Sequence, residues 1–372
     1  MSAATDLLTE LVRTNTVGAN EGGPARRCAE ILGGAGLAGR LLDFEPGREQ
    51  YVATATGTSD DAPLTFTGHL DTVPVTPDDW SVDAWAAATD GDRMVGRGTS
   101  DMKSGVAALV HAVADHARRP HECRGVQVVL TSGEETGCTG ALRIPATELV
   151  TGGPLVVAEP TRNRLVPAHK GAHWMHLTAS GKAAHGSAPE LGDNAVVKLS
   201  RAAVALHDYA DWPGQDGFGT VTANVGVLRG GVQTNVVPDS AELFLDIRTV
   251  PEASGDSIRE LVRTVAGGEV RVVDHVVLPP VDTDLGDEFV HLVGEALESV
   301  GVEGAPEAPA RYFTDASALI PLLTRQGAPP IATVILGPGE PEQCHVADEW
   351  CSLARVDQAV EAYAELLNRW CG

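Results

Sequence analysis

Basic and aromatic residues are scarce in this chain. Lysine occurs four times in 372 residues, and Lys plus Arg total 27 against 51 Asp plus Glu, a formal net charge of −24. Nucleic acids and anionic membranes are polyanions, so neither is an expected partner. Phe, Trp and Tyr together make 4% of the chain, so its cores must be built mostly of Ala, Val and Leu. No two of the six cysteines (Cys28, Cys123, Cys138, Cys344, Cys351, Cys371) form a Cys-x-x-Cys pair, which argues against zinc fingers and thioredoxin-like chemistry. No apolar run approaches the roughly 18 residues of a membrane span. The opening Met1-Ser2-Ala3-Ala4-Thr5-Asp6 has neither a basic n-region nor an apolar h-region. These absences lead to the expectation of a soluble cytoplasmic protein with reduced thiols.

What is present is length and a set of metal-ligand residue types. A chain of 372 residues, 43% of them hydrophobic, is too long for one ordinary core, so two domains are expected. Five short patches hold chemistry: Gly68-His69-Leu70-Asp71, Gly98-Thr99-Ser100-Asp101-Met102-Lys103, Ser132-Gly133-Glu134-Glu135-Thr136-Gly137, Ala158-Glu159-Pro160 and Cys344-His345. Two imidazoles and several carboxylates without a thiolate suit Zn²⁺, Co²⁺ or Mn²⁺ and an oxygen nucleophile. Five ligands with a spare carboxylate suggest two ions sharing a bridging carboxylate. Asp71, two residues after His69, is placed to orient that imidazole. Glu134 and Glu135 are adjacent, and two like charges with one task would only repel. A division of labour follows: Glu135 binds metal and Glu134 handles protons.

Any one patch alone reads as a surface charge or a satisfied polar group. Together, in this order and spacing from about Asp6 to Glu349, they resemble the dizinc family of acetylornithine deacetylase, succinyl-diaminopimelate desuccinylase, aminoacylase and glutamate carboxypeptidase. The resemblance implies that His69 and Glu159 hold one ion, that Glu135 and His345 hold the other, and that Asp101 bridges them. It also implies a cis peptide between Asp101 and Met102. In the family's reaction a metal-activated water attacks an amide carbonyl while Glu134 takes and returns the proton. His185, in Lys182-Ala-Ala-His185-Gly-Ser-Ala-Pro, matches the histidine that stabilises the oxyanion in a partner protomer's site. Arg248 and Asn235 match substrate-carboxylate positions, and Gly337-Pro338-Gly339 matches a glycine-rich loop whose N–H groups could join them. A salt bridge to Asp246 is the plain alternative for Arg248. Cys344 stands where many relatives carry alanine; packing is the expected role for it and for Cys138. Tyr312-Phe313-Thr314-Asp315-Ala316-Ser317 lies where relatives carry selectivity residues, and it matches no single branch.

Periodicity supplies the organisation. Leu7, Leu8, Leu11 and Val12 predict an opening helix, Pro24 to Gly33 a second, and Ser104 to Arg118 a third. Leu64–Thr67, Val126–Leu130 and Leu155–Ala158 read as buried strands, each ending at a ligand patch, as in a mainly parallel α/β sheet. From His173 the pattern becomes alternating strands and helices in the order βαββαβ, a ferredoxin-like α+β insert. By resemblance this insert is a lid and dimerisation domain, which implies a homodimer. The expected boundaries are 1–172 and 282–372 for the catalytic metal-binding domain and 173–281 for the lid.

The function these features imply is removal of an acetyl- or succinyl-type group from an N-acyl-L-amino acid. A dizinc dipeptidase or carboxypeptidase acting on short peptides is the nearest alternative. A serine amidohydrolase using Ser100 and Lys103 is a remote one, since its downstream Ser-Asp-Asn and Lys-Thr-Gly elements are missing. Gly34-Ala-Gly36-Leu-Ala-Gly39 has the dinucleotide-binding spacing but follows a helix rather than a strand. A helix end and turn is the better reading.

Overall fold

A computed structural model of the chain describes residues 2–57, 62–118 and 125–371. It divides into two compact units. The first comprises residues 1–168, 282–308 and 314–372, and the second 169–281 and 309–313. The switch at 168/169 precedes the expected 172/173. The strand that opens the second unit runs from Gly171, before its alternation becomes visible at Trp174.

In the first unit a six-stranded sheet has the order 39–45, 48–56, 125–131, 64–69, 155–157 and 333–335. The last four strands are mutually parallel, and the first two form an antiparallel edge. Leu64–His69 lies inside the sheet and is buried at every residue. Helix Ser104–Ala117 is buried at eleven of its fourteen positions. A Cβ at Gly105 would fall 1.9 Å from the Ala158 carbonyl oxygen, so glycine lets the helix lie against the strand end.

Helices Ala3–Val12, Gly22–Gly34, Glu288–Ser299 and Leu353–Cys371 add to the same core. Ser2 caps the first of them by accepting from Thr5 N. As the composition predicts, Leu, Val and Ala dominate the core. Each fully buried Leu or Val contributes roughly 1.5–3 kcal/mol. Phe66 and Tyr363 meet edge-on with centroids 5.4 Å apart.

Gly34 ends a helix and Gly36 takes φ +92° in the turn that follows, so the dinucleotide-like spacing is a helix end. Cys28, Cys138, Cys344 and Cys351 are free thiols. Cys371 is disulfide-bonded, contrary to the expectation of uniformly reduced thiols. Absence of a Cys-x-x-Cys pair says nothing about cysteines distant in sequence. Cys123 lies outside the described residues. Among the described residues no helix is long and apolar enough to cross a membrane.

The second unit is a four-stranded antiparallel sheet ordered 222–230, 240–249, 171–180, 270–278. With helices Ala195–Asp208 and Asp256–Ala266 its chain order is βαββαβ. Residues alternate along Ser240–Thr249, with Leu243, Leu245 and Ile247 buried. Leu199, Leu206, Ile258 and Val262 of the helices supply the facing apolar side chains.

Candidate metal centre

The parallel strands deliver the ligands at their C-terminal ends, where open α/β sheets place their sites. His69 ends its own strand, Glu134 and Glu135 follow Gly125–Thr131, and Glu159 follows Leu155–Val157. Asp101 lies in the irregular turn Thr99–Lys103, just ahead of helix Ser104–Ala117, and its peptide bond to Met102 is cis. His345 follows the short helix Pro341–Gln343 with φ +64°, a left-handed backbone that costs a non-glycine residue roughly 1–2 kcal/mol. All six residues belong to the first unit.

Asp101 stands between the two imidazoles. Its Oδ1 is 3.1 Å from His69 Nε2 and its Oδ2 is 3.3 Å from His345 Nε2. Glu159 Oε1 is 3.5 Å from His69 Nε2, and Glu135 Oε2 is 3.0 Å from His345 Nε2. Zn–N and Zn–O bonds of 2.0–2.1 Å in a tetrahedron set ligand atoms about 3.3 Å apart. These four separations straddle that value. Ligand atoms of His69, Glu134 and Glu159 lie within 4.8 Å of one another, as do those of His69, Asp101 and Glu135.

The protons support a cation site. His69 Nδ1 is 3.0 Å from the Asp71 carbonyl oxygen, which can only accept, so Nδ1 carries the hydrogen. Nε2 faces carboxylate oxygens of Asp101 and Glu159; burial opposes a second proton there, but the charge of Glu159 and the hydrogen bond to Asp101 prevail and raise His69 well above its ordinary value. Burial pushes the carboxyls of Glu134 and Glu159 well above the usual range, and neighbouring carboxylates add to the rise. Burial raises Glu135 too. Burial also opposes ionisation of Asp101, but hydrogen bonds from His345 and His69 prevail and hold its carboxyl well below the usual range. Hydrogen bonds to Asp101 and Glu135 raise His345 to about 10. A divalent ion held by these groups would replace the protons and relieve the repulsion.

Asp71 departs from its expected part. Its carboxylate Oδ1 is 3.7 Å from His69 Nδ1, and its backbone carbonyl makes the closer contact. The carboxylate instead accepts from Gly133 N at 2.7 Å, Glu134 N at 3.2 Å and Glu135 N at 3.2 Å. Asp71 therefore holds both the imidazole and the loop of the two glutamates. Asp315, which sequence reasoning placed only in a selectivity segment, is buried and accepts from Thr131 Oγ1. Burial lifts it to about 6. Glu349 is buried as well, pushed up to about 7 by burial against the pull of Arg97. It follows His345 by four residues, and nothing in its local sequence marks it.

Two readings are corrected. Ser100 Oγ donates to the Trp350 carbonyl, while Lys103 Nζ donates to the Leu11 and Thr14 carbonyls at 3.0 and 2.9 Å. They form no nucleophile–base pair, and the serine mechanism falls. Gly337 N–H donates to Thr161 Oγ1 at 3.1 Å, so it is not free to meet a carboxylate. Cβ atoms at Gly337 and Gly339 would lie 2.3 Å from Ala158 O and 2.2 Å from Ser100 O. Both positions require glycine for close packing, and of the two N–H groups it is that of Gly337 that is committed.

The remaining candidates belong to the second unit. His185 is exposed and bridges to Val236, and Gly186 N donates to Asn235 O at 2.7 Å, so the His185 and Asn235 segments are neighbours. Ser187 N donates to His185 Nδ1 at 3.2 Å, which leaves the proton on Nε2 as an outward donor. Arg248 Nε and Nη2 donate to Asp246 Oδ2 at 3.2 and 3.0 Å, and its guanidinium lies 5.0 Å from the Phe313 ring centroid. The salt bridge to Asp246 is thus real, and Phe313 stacks on the same group.

Comparison with known proteins agrees with this geometry. The family model described as peptidase family M20/M25/M40 matches residues 65–369. A protein named probable carboxypeptidase from Aspergillus terreus is 31% identical over 343 residues, covering 86% of this chain and 74% of its own. Acetylornithine deacetylase of Vibrio vulnificus is 27% identical over 345 residues, covering 89% and 87%. Among solved structures, the M20 family metallo-carboxypeptidase Sso-CP2 from Sulfolobus solfataricus superimposes with a TM-score of 0.80 at 18% identity, over 100% of this chain and 99% of that one.

Proposed function

The chain belongs to peptidase family M20/M25/M40, hydrolases of amide and peptide bonds, and from that premise we propose that it removes an acyl group from the nitrogen of an amino acid bearing a free carboxylate. The observation that supports amide hydrolysis is Asp101, its two oxygens 3.1 and 3.3 Å from two imidazoles and flanked by Glu135 and Glu159. His69, Asp101 and Glu159 would hold one divalent ion, and Asp101, Glu135 and His345 a second. Zn²⁺ is the first choice, with Co²⁺ or Mn²⁺ suited to the same donors. Such ions supply Lewis acidity that polarises an amide carbonyl and acidifies water.

The chain's own groups do the rest. Glu134, buried beside the ligands, accepts the proton of the attacking water and delivers it to the leaving nitrogen. His185 offers Nε2–H to the oxyanion. Arg248 and Asn235 hold the substrate carboxylate.

Deacylation is preferred because the acetylornithine deacetylase relative matches across 87% of its own length, against 74% for the carboxypeptidase. Carboxypeptidase action is the second reading, favoured by the higher identity of the relatives so named. A homodimer through the second unit is part of the proposal. Its edge strand Thr222–Gly230 exposes Val227 and Leu228, and its helix Ala195–Asp208 exposes Val197 and Val204. Cytoplasmic residence is retained too, with the Cys371 disulfide as the feature against it.

The test is amine release from N-acetyl-, N-succinyl- and N-formyl-amino acids and from dipeptides, with added Zn²⁺ and after chelation. Turnover of one acyl class, lost on chelation and restored by metal, is the expected result. Turnover confined to peptides would move the assignment to peptidase. Activity that survives stringent metal removal would overturn the metal reading.

A further inference from the structure

The side chain of Glu349 is wholly buried, yet the reaction outlined above makes no use of it. Its Oε2 accepts from Arg97 Nη1 at 2.6 Å and from Gly98 N at 2.9 Å. Its Oε1 accepts from Ser100 N at 2.8 Å and from Asp101 N at 3.0 Å. Its backbone holds the same segment: Gly96 N donates to Glu349 O at 2.8 Å, and strand Trp350–Ser352 pairs with Arg93–Val95. A salt bridge to Arg97 would need only one of the two oxygens. The other serves irregular backbone, where N–H groups have no helix or ladder carbonyl to satisfy them.

That backbone carries Asp101, whose two oxygens face His69 and His345. Glu349 also lies four residues after His345 on one short stretch. We propose that Glu349 is a positioning residue of the metal centre. Its carboxylate fixes the turn that aims Asp101 and ties that turn to the segment bearing His345, so that the shared carboxylate and one imidazole are set by a single buried group. Glutamine at 349 keeps the shape but turns one oxygen into an NH₂ group. Either orientation sets that amide against two N–H donors and loses two of the four bonds. Aspartate keeps the charge but is one methylene short of spanning both pairs.

The inference rests on reading the cluster as a two-metal site, and the experiment separates the two claims. Metal-free wild type, Glu349→Gln, Glu349→Asp and a control, Val293→Ala, are titrated with Zn²⁺ against a chromophoric chelator. The visible spectrum of each Co²⁺-loaded form is recorded, and melting is followed by circular dichroism. Val293 is buried in the core on helix Glu288–Ser299, so its truncation lowers stability without touching the turn. The expected result is two ions in wild type and in Val293→Ala. Glu349→Gln should lose about 10–100-fold in affinity and show an altered Co²⁺ spectrum, the usual scale for removing a group that orients a ligand. Glu349→Asp should fall between, and it carries the comparison if Glu349→Gln does not fold. Two ions bound by the Glu349 variants with wild-type affinity and spectrum would overturn the positioning role while leaving the metal reading intact. So would equal metal loss in Val293→Ala. No ion bound by wild type would overturn the metal reading and this inference with it.

Discussion

The two units hold their candidate site residues in opposite ways. In the first, Asp71 and Glu349 are buried, and each spends its carboxylate on backbone N–H groups of a ligand turn. In the second, His185 and Asn235 are exposed on adjoining segments, and Arg248 is half-buried against Asp246 and Phe313. A buried charge costs several kcal/mol unless it is fully hydrogen-bonded, so the first arrangement persists only as a rigid, pre-set whole. An exposed donor costs little to hold and is selected by what binds to it. The first unit is therefore expected to govern metal binding and chemistry, and the second recognition and charge stabilisation. Substitutions can break or sharpen that division.

The largest effect is expected at Glu134. Glu134→Gln should lower kcat by about 10²–10⁴-fold, the span of general acid–base catalysis, with metal content unchanged by elemental analysis. Loss of metal in step with activity would make Glu134 a ligand instead, a role its place within 4.8 Å of His69 and Glu159 also allows geometrically.

His185 comes next. His185→Gln should lower kcat by roughly 10²–10³-fold with little change in KM, as for removal of an oxyanion donor. Mixed dimers of His185→Gln and Glu134→Gln protomers should regain activity if the histidine serves a partner's site. No recovery in mixtures that exchange subunits would confine it to its own chain.

Asp71 is third. Asp71→Ala leaves three loop N–H groups without their acceptor, so metal affinity should fall about 10–100-fold with a lower melting temperature. An unchanged metal affinity would mean the turns are held by the ligands rather than the reverse.

The first unit's ligand patches are legible in sequence because strand ends and their loops are local. His69, Glu135 and Glu159 sit within a few residues of a buried apolar run, and that is where the fold puts them. The βαββαβ order is legible for the same reason, since period-two alternation marks each strand. What escaped is non-local. Glu349 meets Ser100 and Asp101 across about 250 residues, and its sequence neighbours give no hint of that contact. Gly337 is expected to donate because its loop resembles the family's glycine-rich loop, but its N–H goes to Thr161 Oγ1, and a Cβ there would fall 2.3 Å from Ala158 O. The edge hairpin Gly39–Glu45 and Arg48–Thr56 was missed although Pro46-Gly47 offers a turn signal, because its first strand is largely exposed and lacks an apolar face.

Arg248 has the smallest expected effect and the most to say about the second unit. Nε and Nη2 are committed to Asp246, which fixes the plane of the guanidinium and leaves Nη1 to reach a ligand. Phe313 against the same group favours a fixed cation over a mobile one. Arg248→Met, which keeps the bulk over Phe313 and removes the charge, should raise KM about tenfold for a substrate with a free carboxylate, the scale of one charge-assisted hydrogen bond of roughly 1.5 kcal/mol. It should leave metal content unchanged. The matched measurement uses the same substrate as its carboxamide, for which wild type and variant should have similar KM. If both substrates lose equally, Arg248 only braces Asp246 and the strand, and recognition of the carboxylate must come from elsewhere.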